Sequence, residues 1–205
     1  MGRIILFLLM CLSLQAQTIT VSGTAYKVMG DEMMSDPNTY LHQFIEDANE
    51  RGHNFNPNMR GMFEFIGGTG STKGYSVRYD ACRGRYRVAL QRHYWNNYNE
   101  TAGWFSGATN LYEQRRHLVY HELGHALLRY NHSCNGTDIQ IGNRPTRYVV
   151  HDIMFATRSC VDIGVGYSYT TPLDWVDQLD RFFDTELHTT YTCGSRKSTT
   201  PILDY

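Results

Sequence analysis

No stretch of this chain is apolar for long enough to span a bilayer. The longest candidate, Ile4 to Leu14, falls well short of the ~20 residues that a crossing helix needs, so no membrane span is expected. An excess of one charge is also missing. Nineteen basic residues nearly offset twenty acidic ones, the formal net charge is -1, and the basic clusters are few and scattered. That argues against nucleic acid as a main partner. Lysine is scarce, whereas tyrosine occurs fifteen times, a balance that suits a rigid extracellular domain with tyrosine-rich surfaces. The length fits one domain with a real core.

The chain begins with what reads as an export signal over residues 1–16. Arg3 supplies the positive start, Ile4 to Leu14 the apolar run, and Leu14-Gln15-Ala16 a cleavage site before Gln17. Lipid anchoring at Cys11 is the poorer reading, because Met10 stands where a small residue is needed. The expectation is a secreted, periplasmic or cell-envelope protein, monomeric, with an arm at 17–35, a domain at 36–193 and a tail at 194–205. Once the signal is removed, Cys82, Cys134, Cys160 and Cys193 remain. An even count in an exported chain favours two disulfides, with three pairings open.

The chemistry lies in His121-Glu122-Leu123-Gly124-His125. At ~100° per helical residue, His121 and His125 project from one face a turn apart, so both imidazoles can reach one metal ion. Glu122 is one step round, where its carboxylate can accept the proton of a water acidified by zinc. Gly124 costs a helix ~1 kcal/mol relative to Ala, which points to close packing or room for a metal site. His117 lies on much the same face and suits a supporting role.

A hydrolytic zinc site needs a third protein ligand and one open position. His132 is the leading candidate, with His151, Asp138 and Asp152 as rivals, and a Cys134 thiolate as a poorer one in an oxidising compartment. On a straight helix His132 would lie ~16 Å along the axis from His121. The helix must therefore end near Leu128 to Tyr130 and the chain must turn back, with Asn131 to Gly136 supplying residues tolerant of such a turn.

The stretch resembles the metzincin clan of zinc endopeptidases, whose motif is H-E-x-x-H-x-x-G-x-x-H followed by a Met-turn. It departs at Leu128, where that clan has its turning glycine, and at Asn131, where it has its third histidine. It is more similar to small secreted metzincin-like proteins of Bacteroidetes, which read H-E-L-G-H-x-L-L-x-x-x-H, then a short I-M segment and an aromatic C-terminal helix. His121, Glu122, His125 and His132 match that pattern, and Asp152-Ile153-Met154-Phe155 resembles the Met-turn. The resemblance implies an α/β (α+β) fold, with a small twisted mixed sheet, a backing helix and a long active-site helix. An irregular lower part would end in a C-terminal helix. It also implies one catalytic zinc ion and a peptide or protein substrate, with Met154 as an apolar floor. A tyrosine such as Tyr167 or Tyr169 would be the counterpart of the oxyanion donor in some metzincins.

Elsewhere the patterns are structural. Asp36-Pro37 opens a helix that Gly52 ends. Strands are expected at Met62–Ile66, Tyr75–Tyr79 and Tyr86–Leu90, and the free edge of one bordering the cleft can pair with an extended peptide. Between Asn110 and Arg129 runs the long helix, with Leu111, Leu118, Leu123, Leu127 and Leu128 inward and Glu113, Arg115 and Arg116 toward water. Thr137 to Val150 and Gly164 to Tyr169 read as loops, with a bridge at Cys134 or Cys160 steadying the segment before Met154. Thr171-Pro172 starts a last helix packed by Trp175, Val176, Leu179, Phe182, Phe183 and Leu187. Latency, if built in, falls to the arm, where Asp31, Glu32 or Asp36 can ligate zinc.

These readings converge on a secreted zinc metalloendopeptidase with Glu122 as general base. The alternatives are a catalytically inactive, zinc-stabilised binding domain, or a zinc hydrolase of a non-protein amide.

Overall fold

The structure is a computed structural model that describes residues 18–21, 24–27, 35–67, 73–98, 108, 110–133, 136–139, 147–150, 152–154, 168–170 and 175–193. The proposed signal peptide, Cys11, Cys134, His151, Cys160, Tyr167 and the tail at 194–205 lie outside the described residues. The fold is mixed α/β, with small sheets and several helices.

An antiparallel hairpin, β1 (Thr18–Val21) with β2 (Thr24–Lys27), occupies the arm. Helix α1 (Pro37–Glu50) starts where local chemistry says it should. Asp36 accepts from the Asn38 amide at 2.9 Å, and Pro37 fills the first turn, where its missing N–H costs nothing. Tyr40, Leu41, Phe44, Ile45 and Ala48 recur at helical spacing and are all fully buried. Gly52 at φ +88 ends the helix, with the amides of Gly52 and His53 returning to the carbonyls of Asn49 and Ala48.

A three-stranded mixed sheet follows, made of β3 (Phe63–Ile66), β4 (Gly74–Ser76) and β5 (Val88–Gln91). β5 is central and wholly buried; β3 pairs with it in parallel and β4 antiparallel, so β4 is an edge. Two short helices, α2 (Arg78–Cys82) and α3 (Arg92–Asn96), flank β5. The strand expected to run to Tyr79 thus stops at Ser76. Trp95 is 1 % exposed and anchors the core, its indole donating to Ser35 O.

The long helix α4 (Leu111–Leu123) is capped by Asn110, which accepts from the Glu113 amide, and it packs against α1 and β4. Arg115 does not face water as its charge suggested. It is buried, donates to Trp95 O at 2.8 Å and lies over the Trp95 ring. Its long stem and planar head satisfy a buried carbonyl that no apolar residue could. Arg116 stacks on Trp175 and Tyr112.

Two expected loops contain strands. β6 (Gly136–Ile139) pairs antiparallel with β7 (Arg147–Val150), and β8 (Ser168–Thr170) joins β7 in parallel. The turn-forming residues between β6 and β7 make the whole stretch read as a loop although its two ends pair, and β8 pairs with a strand outside its own stretch. The last helix, α5 (Trp175–Phe183), buries Leu179, Phe182 and Phe183 as expected. Val176 and Leu187 are instead 57 % and 42 % exposed, on the outer face. No helix among the described residues is long and apolar enough to cross a membrane.

Candidate metal centre

His121, at 0 % exposure, occupies the last turn of α4. Here the backbone widens, and Gly124–Leu128 form a π-helical turn. Such a turn takes one more residue than an α-turn. It ends at Arg129, whose φ of 60° makes it the one non-glycine residue in the left-handed region among the described residues. The amides of Arg129 and Tyr130 both reach back to Gly124 O. The reversal therefore happens at Arg129, ahead of the Asn131 to Gly136 stretch expected to make it. Arg129 precedes His132 by three residues, so the reversal brings His132 back toward the helical pair.

The result is convergence. Ligand atoms of His121, His125 and His132 all lie within 4.8 Å of one another. The ring centroids are 4.7 to 5.4 Å apart. His121 Nδ1 lies 2.7 Å from Ile153 O and His125 Nδ1 2.6 Å from Tyr130 O. A carbonyl can only accept, so each Nδ1 carries the proton and donates it. This directs the buried Nε2 of each ring toward the cluster, as the atom that could hold a metal. Three imidazole nitrogens converging in this way could hold a metal ion.

The segment carrying His132 is held by two neighbours. On one side, the Asp152-Ile153-Met154 turn offers Ile153 O to His121 and accepts the Ser133 amide on Met154 O at 2.9 Å. Asp152 was a rival ligand; instead it caps this turn, accepting from the Met154 amide at 2.8 Å, and faces His188 at 3.6 Å. Both of those side chains are buried. On the other side, residues 189–191 run antiparallel to 129–131. The Asn131 amide donates to Thr189 O, the Tyr191 amide to Arg129 O, and the Tyr191 hydroxyl to His125 O at 3.0 Å. A disulfide between Cys82 and Cys193 fastens the end of this segment to α2.

Met154 is fully buried, and a Cβ built on Gly124 would lie 2.5 Å from its Sδ. It therefore packs against the helix between the two helical histidines. Glu122 is also fully buried, and its carboxylate lies against edge strand β4: a Cβ on Gly74 would be 2.7 Å from Glu122 Oε1. His117 is buried one turn earlier. Its pKa is pushed down to about 3, chiefly by burial and then by His121 and Arg116, so it is neutral at physiological pH. Side chains at Asp138 and His151 lie outside the described residues, as do Tyr167 and the side chain of Tyr169.

Gly74, Arg129 and Tyr191 were missed by sequence reasoning. The first two carry no local signature, and Tyr191 is one tyrosine among fifteen. No family model, no curated protein and no solved structure matches the chain.

Proposed function

We propose that this chain is an exported zinc metallopeptidase of metzincin-like architecture that hydrolyses peptide bonds. The observation that carries the reading is the juxtaposition of a three-histidine cluster, a buried carboxylate and a sheet edge. A structural metal site has no need of Glu122, and burying a carboxylate costs several kcal/mol unless something at the site compensates it. A bound zinc ion would supply Lewis acidity, polarising the scissile carbonyl and acidifying a water.

The chain's own residues do the rest. His121, His125 and His132 would hold the ion, with Ile153 O and Tyr130 O fixing two of the three rings. Glu122 takes a proton from the attacking water and returns it to the leaving amine. β4 pairs only with β5 among the described strands and packs on Glu122 through Gly74, so an extended peptide would run beside this strand at the half-buried Tyr75. Export is supported by the signal-like residues 1–16 and by the Cys82–Cys193 bridge, which persists in oxidising compartments.

Comparing the wild type with Glu122→Gln, for zinc content and for cleavage of a mixed peptide library, tests the reading. Equal zinc with cleavage only by the wild type is expected. Equal zinc with cleavage by neither would favour a binding domain, and cleavage of non-protein amides alone a different hydrolase.

A further inference from the structure

Behind the metal-binding turn, away from Glu122 and β4, the surface carries two hollows, of about 880 Å³ and about 370 Å³. Both are lined by Leu127 and Arg129, so the two hollows adjoin at the π-turn and are treated together as a groove. Phe55, Leu127 and Leu128 give the larger hollow its apolar wall. Met59, Met62 and Tyr86 do so for the smaller one, where Met62 is 58 % exposed. An exposed methionine beside other apolar side chains is characteristic of adaptable binding surfaces.

The charge is one-sided. Arg60, Arg85 and Arg129 line the groove, and among the described residues no Asp or Glu does, in a chain whose acidic and basic residues nearly balance. Arg60 and Arg129 form no ion pair among the described residues, and Arg85 is 3.7 Å from Asp80 while remaining largely exposed. We propose that this groove docks an acidic peptide segment carrying bulky apolar side chains, supplied by another protein. Guanidinium groups pair with carboxylates in a forked geometry, while the methionine and leucine walls accept the apolar side chains. Charge argues against two other occupants. A second copy meeting this face through the same face would set arginines against arginines. Residues 194–205 carry Arg196 and Lys197 against a single Asp204.

The test measures anisotropy of a fluorescein-labelled Asp-Glu-Phe-Leu-Asp-Glu peptide titrated with the full chain. A Glu122→Gln background prevents cleavage. Saturable binding is expected, weakened about 10-fold or more by Arg60→Glu with Arg85→Glu, and by rising salt. Both arginines are exposed, so the double variant should fold; Met62→Asp gives an independent second variant with the same expected loss. Replacing Phe-Leu by Gly-Gly should also abolish saturation. Absence of saturable binding, equal binding of the Gly-Gly peptide, or indifference to both variants would overturn the proposal. So would sedimentation showing a dimer that the double variant dissolves. The titration reads no turnover, so its failure leaves the hydrolytic reading untouched, and failure of that reading leaves the groove untouched.

Discussion

Gly124 and Met154 approach so closely that no side chain fits between them: a Cβ on Gly124 would meet Met154 Sδ at 2.5 Å and Phe182 Cε2 at 3.0 Å. The glycine that weakens the helix intrinsically is what lets the turn at Asp152 to Met154 reach the helix between two histidines. Gly124→Ala should therefore destabilise the fold by about 1–3 kcal/mol despite better helix propensity. In a double-mutant cycle with Met154→Ala, measured by denaturant unfolding, the double variant should cost less than the sum of the singles. Additive costs would show that the two residues do not share this contact.

Gly74 has the corresponding role on the other side of the helix. A methyl there must displace the Glu122 carboxylate or the backbone at Ala89 O, 3.2 Å away. Gly74→Ala should keep its zinc and lower kcat/KM by about 10- to 100-fold, as expected when a catalytic group is shifted by an ångström or less. Unchanged kcat/KM alongside full zinc would remove Glu122 from the chemistry or Gly74 from its neighbourhood.

Arg129 occupies left-handed backbone that costs an L-residue roughly 1–2 kcal/mol. Arg129→Gly should raise thermal stability by up to about 1 kcal/mol once the greater freedom of glycine in the unfolded chain is subtracted. Arg129→Val, β-branched at the same φ, should lower both stability and zinc affinity, because the turn delivers His132. Equal melting of all three proteins would mean that the reversal lies elsewhere.

The bridge between Cys82 and Cys193 closes a sequence separation of 111 residues. Cys82→Ser with Cys193→Ser should cost about 2–5 kcal/mol of stability. Because the bridge secures the segment that hydrogen-bonds residues 129–131 and His125 O, zinc affinity should also fall. A competition titration against a chromogenic chelator reads this directly. Lower stability with unaltered zinc affinity would reduce the bridge to a general staple.

Alkaline pH should unfold the protein cooperatively. Burial raises the pKa of Tyr40, Tyr86, Tyr94 and Tyr120 above the ordinary value of 10.0. For Tyr120 the neighbouring Asp47, which accepts from its hydroxyl, adds to the rise. Folded-state values above the unfolded value mean that this stabilisation is complete below pH ~10 and drains away above it, as the unfolded chain releases protons first. Denaturant titrations at stepped pH should show stability falling steeply above pH 10, together with the rise in phenolate absorbance. A flat profile there would mean that these hydroxyls are not held in the core.

The sequence alone determined whatever depends on near neighbours. A rotation of ~100° per residue makes His121 and His125 adjacent. Asp36, Pro37 and Gly52 start and stop α1 through hydrogen bonds and dihedral limits spanning a few residues. The tertiary structure decided everything that depends on distant segments meeting. It widened the helix at Gly124–Leu128 so that His132 joins the pair, and it set Asp152 as a cap and buried Arg115 under Trp95. It also drew strands from stretches that read as loops and laid Gly74 on Glu122. The Asp152 cap and the β6–β7 pairing join residues close in sequence, but the convergence of His132 with the helical pair, the burial of Arg115 and the contact of Gly74 with Glu122 are fixed by packing between separate segments, which a pattern of near neighbours does not encode.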